Sequence, residues 1–210
     1  DQAYVKTDLS LGAFFQMLRD AATTRNYALN DTFFGYFLQF KVVKEMHQRK
    51  KYTPPTIRNR PHFRVSIDTT KNLTTGLSQH ELLYNLSRNQ GAMVYYACPM
   101  LFDRSALYEI DVDLDDLHLA DLTSCPSPYA DNDNHFIYYN DRQAMPVWCS
   151  EPIEGKAILP RDFAGVVIGR LRQLVPDESA RNLLDLLTHV DAVGATSPVV
   201  VEIRIFGIHA

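Results

Sequence analysis

The sequence predicts a mixed α/β protein organised on one central sheet flanked by helices. Three observations predict it. Leu11, Phe14, Phe15, Leu18 and Ala22 recur at helical spacing. Phe63, Val65 and Ile67 alternate with polar neighbours, as the inward face of a strand does. Ala92 to Phe102 is almost continuously apolar, the pattern of a strand buried on both faces. No internal repeat, low-complexity tract or linker interrupts the 210 residues, which read as a single domain over 1–210.

The elements follow in order. Ser10 can cap a helix that runs to about Thr24. Asn26 to Phe34 reads as a strand that turns near Asn30-Asp31, and Gly35 to Val43 as the second strand of that hairpin. Lys44 to Pro61 is a basic connector containing prolines, and His62 to Ile67 is the next strand. Ser78 caps a second helix that runs to about Asn89, with Glu81 at the capping-box position and Gly91 beyond its end. The apolar strand from Ala92 comes next, then an alternating strand at Tyr108 to Leu114 with acids outward. Ser124 to Asn134 is polar enough to be a loop. His135 to Tyr139 and Ala144 to Cys149 are short strands, Pro160 to Leu174 and Glu178 to Val190 are helices, and Val199 to Ile208 is a final strand.

Composition bounds the function classes. Hydrophobic residues make up 46% and charged residues 22%, as in an ordinary globular protein. No apolar run approaches the roughly 18 residues of a membrane helix, so no membrane partner is expected. The first residues carry no signal-peptide pattern. The chain does not begin with Met, which leaves room for residues upstream. The three cysteines, Cys98, Cys125 and Cys149, form no CxxC pair, so free thiols of a cytoplasmic protein are expected. No GxxxxGK loop or GxSxG elbow is present, which argues against an NTPase and a serine hydrolase.

Charge is unevenly spread. The formal net charge is −4. Between Lys41 and Arg64, eight Lys/Arg face Glu45 alone, a formal +7, with His47 and His62 besides. Between Asp103 and Asp121, seven acids face Arg104, a formal −6. A field acts within a Debye length of about 10 Å, so a basic stretch can bind phosphate on an acidic protein. Lys44, Arg49, Lys50, Lys51, Arg58 and Arg60 are the candidate nucleic-acid contacts. A solvated loop is the alternative reading. Phe33, Phe34, Tyr36, Phe37, Phe40 and Tyr52 could stack on bases or form core. The alternating acids from Asp111 to Asp116 read as the wet face of an edge strand, because the Gly and Glu of an EF-hand loop are missing.

The most chemically pointed segment is Gln39-Phe40-Lys41. Alternate strand residues share a face, so Gln39 and Lys41 emerge together with Phe40 behind them. A lysine on so apolar a strand costs free energy unless its ammonium meets a partner, such as an anion or a metal-bound phosphate.

The helix, the hairpin, the (D/E/Q)-x-K strand and the crossover helix to a buried strand together resemble the PD-(D/E)xK, or restriction-endonuclease-like, nuclease superfamily. Asp31, Gln39-Phe40-Lys41, Gln79-His80-Glu81 and the strand from Val94 to Pro99 carry the resemblance. The Gln variant is similar to some Mrr-like nucleases. The resemblance implies a nuclease-like core over about residues 10–102 and an elaboration over about 103–210. It implies Mg²⁺- or Mn²⁺-dependent phosphodiester hydrolysis on DNA, with a role in defence against foreign DNA. Asp31 and the Gln39 amide oxygen would hold the metal, Lys41 would supply charge, and Gln79 would reach the water or phosphate. Asp31 stands eight residues before Gln39, near the turn, and Asp20 is a second candidate carboxylate. A turn residue and a lysine reaching to solvent are the structural readings of Asp31 and Lys41. His80 reads as a surface residue at a helix start. The alternatives are a catalytically inactive nucleic-acid-binding domain and a protein-interaction domain, alone as a homo-oligomer or within a larger assembly.

Overall fold

Gln39 and Lys41 sit where the chain leaves one sheet for another. A computed structural model describes residues 2–7, 13, 16, 33–88, 92–100, 116–131, 133–141, 145–149 and 152–174. Gln2–Thr7 (β1) runs antiparallel to Phe33–Phe40 (β2). The chain then crosses at Lys41-Val42 into Val43–Met46 (β3), which pairs with His62–Ile67 (β4) in a different sheet. After the helix Gln79–Ser87 (α1), Ala92–Pro99 (β5) returns to lie parallel to β2, with Gly35 opposite Ala92 and Phe40 opposite Ala97.

The second half of the chain completes both sheets. Leu117–Asp121 (β6) pairs with β5, and Ala157–Ile158 (β10) pairs with β6. His135–Tyr139 (β7) pairs with β4, followed outward by Val147–Cys149 (β8) and Ile153–Glu154 (β9). The first sheet therefore has the order β1-β2-β5-β6-β10 and the second β3-β4-β7-β8-β9. Among the described strands only β2 and β5 are parallel, and the crossover between them carries β3, β4 and α1.

The two sheets face one another across a shared core. Phe37, Val94, Tyr96 and Ala120 of the first sheet meet Val65, Ile137, Tyr139 and Trp148 of the second. Leu83, Tyr84 and Leu86 of α1 pack against the same cluster. The outer face of the first sheet, Met93, Tyr95 and Leu119, is covered by Phe163 and Val167 of Pro160–Leu174 (α2). The outer face of the second, Phe136 and Tyr138, is covered by Ile57 of the basic connector. Burial of Ile57 to 1% exposure stabilises that cover by about 2 kcal/mol.

Local chemistry fixes α1. The Ser78 hydroxyl accepts from the Glu81 N–H at 3.1 Å, and the Glu81 carboxylate accepts from the Ser78 N–H at 2.8 Å. This capping box is worth about 1 kcal/mol. A second polar junction lies under β8. The Ser124 hydroxyl donates to the Asp121 carbonyl at 2.6 Å and accepts from the Trp148 indole at 3.1 Å and the Lys156 N–H at 2.9 Å. Gly155 passes directly over this junction, and a Cβ there would fall on the Trp148 ring and the Ser124 hydroxyl.

The α/β expectation holds, with two sheets in place of one. His62–Ile67 and His135–Tyr139 form at their predicted bounds, as does the helix from Pro160 to Leu174. Gly35 to Val43 is not one strand: it ends at Phe40, and the following four residues of β3 belong to the other sheet. Phe33 and Phe34 belong to the same strand as Gly35, not to its predecessor. The partner of β2 on that side is β1, a strand the side-chain pattern does not announce. Ala13 and Gln16, the described residues of the first predicted helix, are helical. The turn at Asn30-Asp31, the strand from Tyr108 to Leu114, the helix from Glu178 to Val190 and the strand from Val199 to Ile208 lie outside the described residues. Among the described residues no helix is long and apolar enough to cross a membrane.

Candidate functional site

Strand alternation puts Phe37, Gln39 and Lys41 on the face of β2 that looks into the shared core, while Tyr36, Leu38 and Phe40 look toward α2 or solvent. Gln39 is 7% exposed, and among the described residues its Oε1 has no hydrogen-bond partner. A buried carbonyl oxygen in that state costs about 1–3 kcal/mol and invites a donor or a cation. Lys41 follows the last residue of β2. Its N–H donates to the Ala97 carbonyl at 2.8 Å, which extends the parallel ladder by one step. Its ammonium lies 4.6 Å from the centroid of the Tyr96 ring. Desolvation lowers the Lys41 pKa, opposed by the Asp68 carboxylate just beyond β4 and then by the Cys98 thiol. Asp68 accepts from the Thr70 N–H at 2.9 Å. Its pKa is lowered first by Thr70 and, more weakly, by Lys41.

Behind Lys41 runs a polar chain that sequence reasoning missed. The His80 Nε2 faces the Ser127 carbonyl at 3.3 Å, so the neutral ring carries its proton there. Nδ1 therefore accepts from the Tyr96 hydroxyl, at 2.6 Å. Burial pulls the His80 pKa down to about 4, helped by Lys41 and His135. Burial also pushes the Tyr96 phenol well above its usual range. Tyr129, at φ +47°, stacks on His80 at 5.0 Å and on His135 at 4.0 Å. His135 in turn meets the exposed Asp131 carboxylate at 2.5 Å. A connected path thus leads from the Lys41 ammonium to the surface at Asp131.

The α1 assignment changes accordingly. Gln79 is the exposed first residue of the helix, whereas His80 is 1% exposed and reaches Tyr96. The signal was present: His80, Leu83, Tyr84 and Ser87 recur at helical spacing on the packed face. Asp31, the candidate first ligand, lies outside the described residues, as does Asp20. Cys98 is buried in the core, and burial pushes its thiol up to about 12.

The basic residues lie elsewhere. Lys44 is opposite Arg64 in the β3–β4 register, on the outer face of the second sheet. Arg49, Lys50, Lys51, Arg58 and Arg60 are exposed on the connector that covers that face. The connector is a folded segment. Thr53 N–H donates to Lys50 O at 2.9 Å, and the Arg58 and Asn59 N–H groups donate to Asn140 Oδ1 at 3.0 and 2.9 Å. Among the described residues none of these six cations is ion-paired. They do not share a face with Gln39 and Lys41, and the edge strand β3 separates the two groups. Tyr36 and Phe37 are packing residues, while Phe40 and Tyr52 are 44% and 47% exposed.

Mg²⁺ and Mn²⁺ call for hard oxygen donors. The orphaned Gln39 Oε1 is the hard oxygen such an ion prefers. Among the described residues no group of three His, Cys, Asp or Glu side chains could hold a metal ion. The described residues thus offer one coordination position and no complete cage.

Comparison with known proteins finds no matching family model, no matching curated protein and no matching solved structure.

Proposed function

We propose that this chain is a restriction-endonuclease-like domain that takes a DNA phosphodiester at the Gln39–Lys41 face and hydrolyses it with Mg²⁺ or Mn²⁺. The observation that carries the reading is the pairing, on one buried face, of an acceptor without a donor and a cation held over an aromatic ring. In this reading Gln39 Oε1 and Asp31 would hold the ion, which when bound would supply stabilisation of phosphoryl charge and hydroxide at neutral pH. Lys41 donates to a non-bridging phosphate oxygen. Its lowered pKa makes it a readier proton donor to the departing oxygen than an exposed lysine is. The Tyr96 ring and the Tyr96–His80 bond hold the Lys41 stem in place. DNA continues around the β3 edge to Lys44 and the connector, where Arg49, Lys50, Lys51, Arg58 and Arg60 neutralise its backbone.

A second reading is favoured by the incomplete donor set: a nucleic-acid-binding domain of the same architecture without hydrolysis. Incubation of supercoiled plasmid with Mg²⁺ or Mn²⁺ separates the two. Hydrolysis predicts nicking that chelator abolishes and that Lys41→Ala reduces by about 10²–10³. Loss in Asp31→Ala would identify the carboxylate. If wild type binds plasmid yet never cuts it with either ion, the hydrolase reading falls and the binding reading replaces it.

A further inference from the structure

The outer face of the second sheet carries polar groups that neither the fold nor the proposed site uses. His62 is 0% exposed, and neither ring nitrogen has a hydrogen-bond partner. Tyr138 is 0% exposed, and its hydroxyl has none. The Arg64 Nε is buried and unpartnered as well. These atoms are neighbours by register. Arg64 stands directly opposite Tyr138, and His62 lies two residues along β4 with its ring 6.1 Å from the Tyr138 ring. The Asn59 carbonyl leans toward His62, and Thr53 and Arg64 toward the Tyr138 hydroxyl, without completing hydrogen bonds.

The charge around this cluster has one sign. Burial first, and then Arg49, Arg60 and Arg64, hold the His62 pKa down, and among the described residues no carboxylate opposes them. Lys44, opposite Arg64, adds a fourth cation at the exposed rim. Arg64 is oriented by the Phe136 ring, 4.7 Å from its guanidinium carbon, and Arg49 by a bond to the Pro54 carbonyl at 3.1 Å. A buried donor set without acceptors is unfavourable as it stands, and the exposed cations around it favour an anion. One water can accept only two hydrogen bonds and brings no charge. A tetrahedral oxyanion accepts from several directions and neutralises the arginines.

We propose that His62, Arg64 and Tyr138 form the floor, and Lys44, Arg49 and Arg60 the rim, of a binding pocket for a phosphate group. The pocket does not depend on hydrolysis at Gln39–Lys41, because it lies on the opposite face of the second sheet from the shared core. The phosphate belongs either to a nucleic-acid backbone or to a free phosphate ion.

Titration of the full chain with inorganic phosphate tests this, against chloride at equal ionic strength, while the His62 ring is followed by NMR. The expected result is a saturable change at His62, with its pKa raised by the arriving anion. Arg64→Gln and the exposed Arg60→Gln each weaken phosphate binding by about tenfold, and the exposed Lys156→Gln leaves it unchanged. Arg60→Gln keeps the test decisive if the Arg64 variant does not fold. Displacement of phosphate by an oligonucleotide without a terminal phosphate assigns the pocket to the backbone, and failure of displacement assigns it to the free ion. The proposal is overturned if chloride reproduces the effect, or if binding survives intact in Arg60→Gln and His62 does not respond.

Discussion

At the scale of single residues, His80 ties the candidate site to folding through pH. Its imidazole is neutral at pH 7 and titrates near 4 in the folded chain, against an ordinary 6.5. The folded pKa is the lower of the two, so the unfolded chain takes up the proton first as pH falls. Stability is fully present above 6.5 and is lost progressively down to about 4. His62, lowered mainly by burial, acts in the same direction. Between pH 7 and 4.5 the His80 contribution amounts to about 2 kcal/mol. Urea unfolding of wild type and His80→Gln at both pH values should show a markedly smaller pH effect in the variant. Equal pH effects would remove His80 from this role. Asp68 and Asp131, both lowered, contribute in the same sense, losing stability as pH falls through the carboxylate range, mostly below this window. The sequence disclosed the Gln39–Lys41 pair because alternation along a strand is a local rule. It did not disclose Tyr96 as the base on which Lys41 rests, because residues 41 and 96 meet only through a crossover of more than fifty positions.

At the scale of elements, two glycines should behave in opposite ways. Gly155 lies against the Trp148 indole and the Ser124 hydroxyl, and its N–H donates to the Pro146 carbonyl at 2.6 Å. Gly155→Ala should cost about 1–3 kcal/mol by forcing Trp148 aside. Gly165 is exposed in the middle of α2 with no atom near its missing Cβ. Gly165→Ala should stabilise by about 0.5–1 kcal/mol through helix propensity alone. Thermal midpoints of the two variants check both signs. The capping box at Ser78 and Glu81 and the alternation in β4 and β7 were legible because each is written within a few residues. The two-residue strands β9 and β10 were not, since Ile153-Glu154 and Ala157-Ile158 carry no period and form only because β8 and β6 present free edges.

At the scale of the whole molecule, the division of charge should set how DNA is held. The net charge is −4, yet Lys44, Arg49, Lys50, Lys51, Arg58 and Arg60 are all exposed within one stretch whose single acid is Glu45. If all six meet phosphates, log K should fall with log salt at a slope of about −5. Each Lys→Gln change at Lys50 or Lys51 should reduce that slope by about 1. A slope near zero, measured by fluorescence anisotropy on duplex DNA, would remove the basic face from nucleic-acid binding. The alternation of strands and helices was enough to read the fold class. The number of sheets was not, because a hydrophobic pattern reports that a face is buried and never what buries it. β4 and β7 are separated by nearly seventy residues, and either could have joined β5 on pattern alone.

The passage of the chain from β2 to β3 at Lys41-Val42 has one more consequence. Gln39 is anchored in the first sheet, while two residues after Lys41 the backbone is already hydrogen-bonded into the second. Lys41 still belongs to the first sheet, through its N–H to the Ala97 carbonyl, and its ammonium rests on Tyr96 of that same sheet. The second sheet supplies the cover: a state in which the sheets part, with every strand intact, keeps Gln39, Lys41 and Tyr96 together but opens them to water. The chemistry proposed for this face therefore needs docking for dryness and not for geometry: a half-open molecule would have the pair in place and no desolvated site.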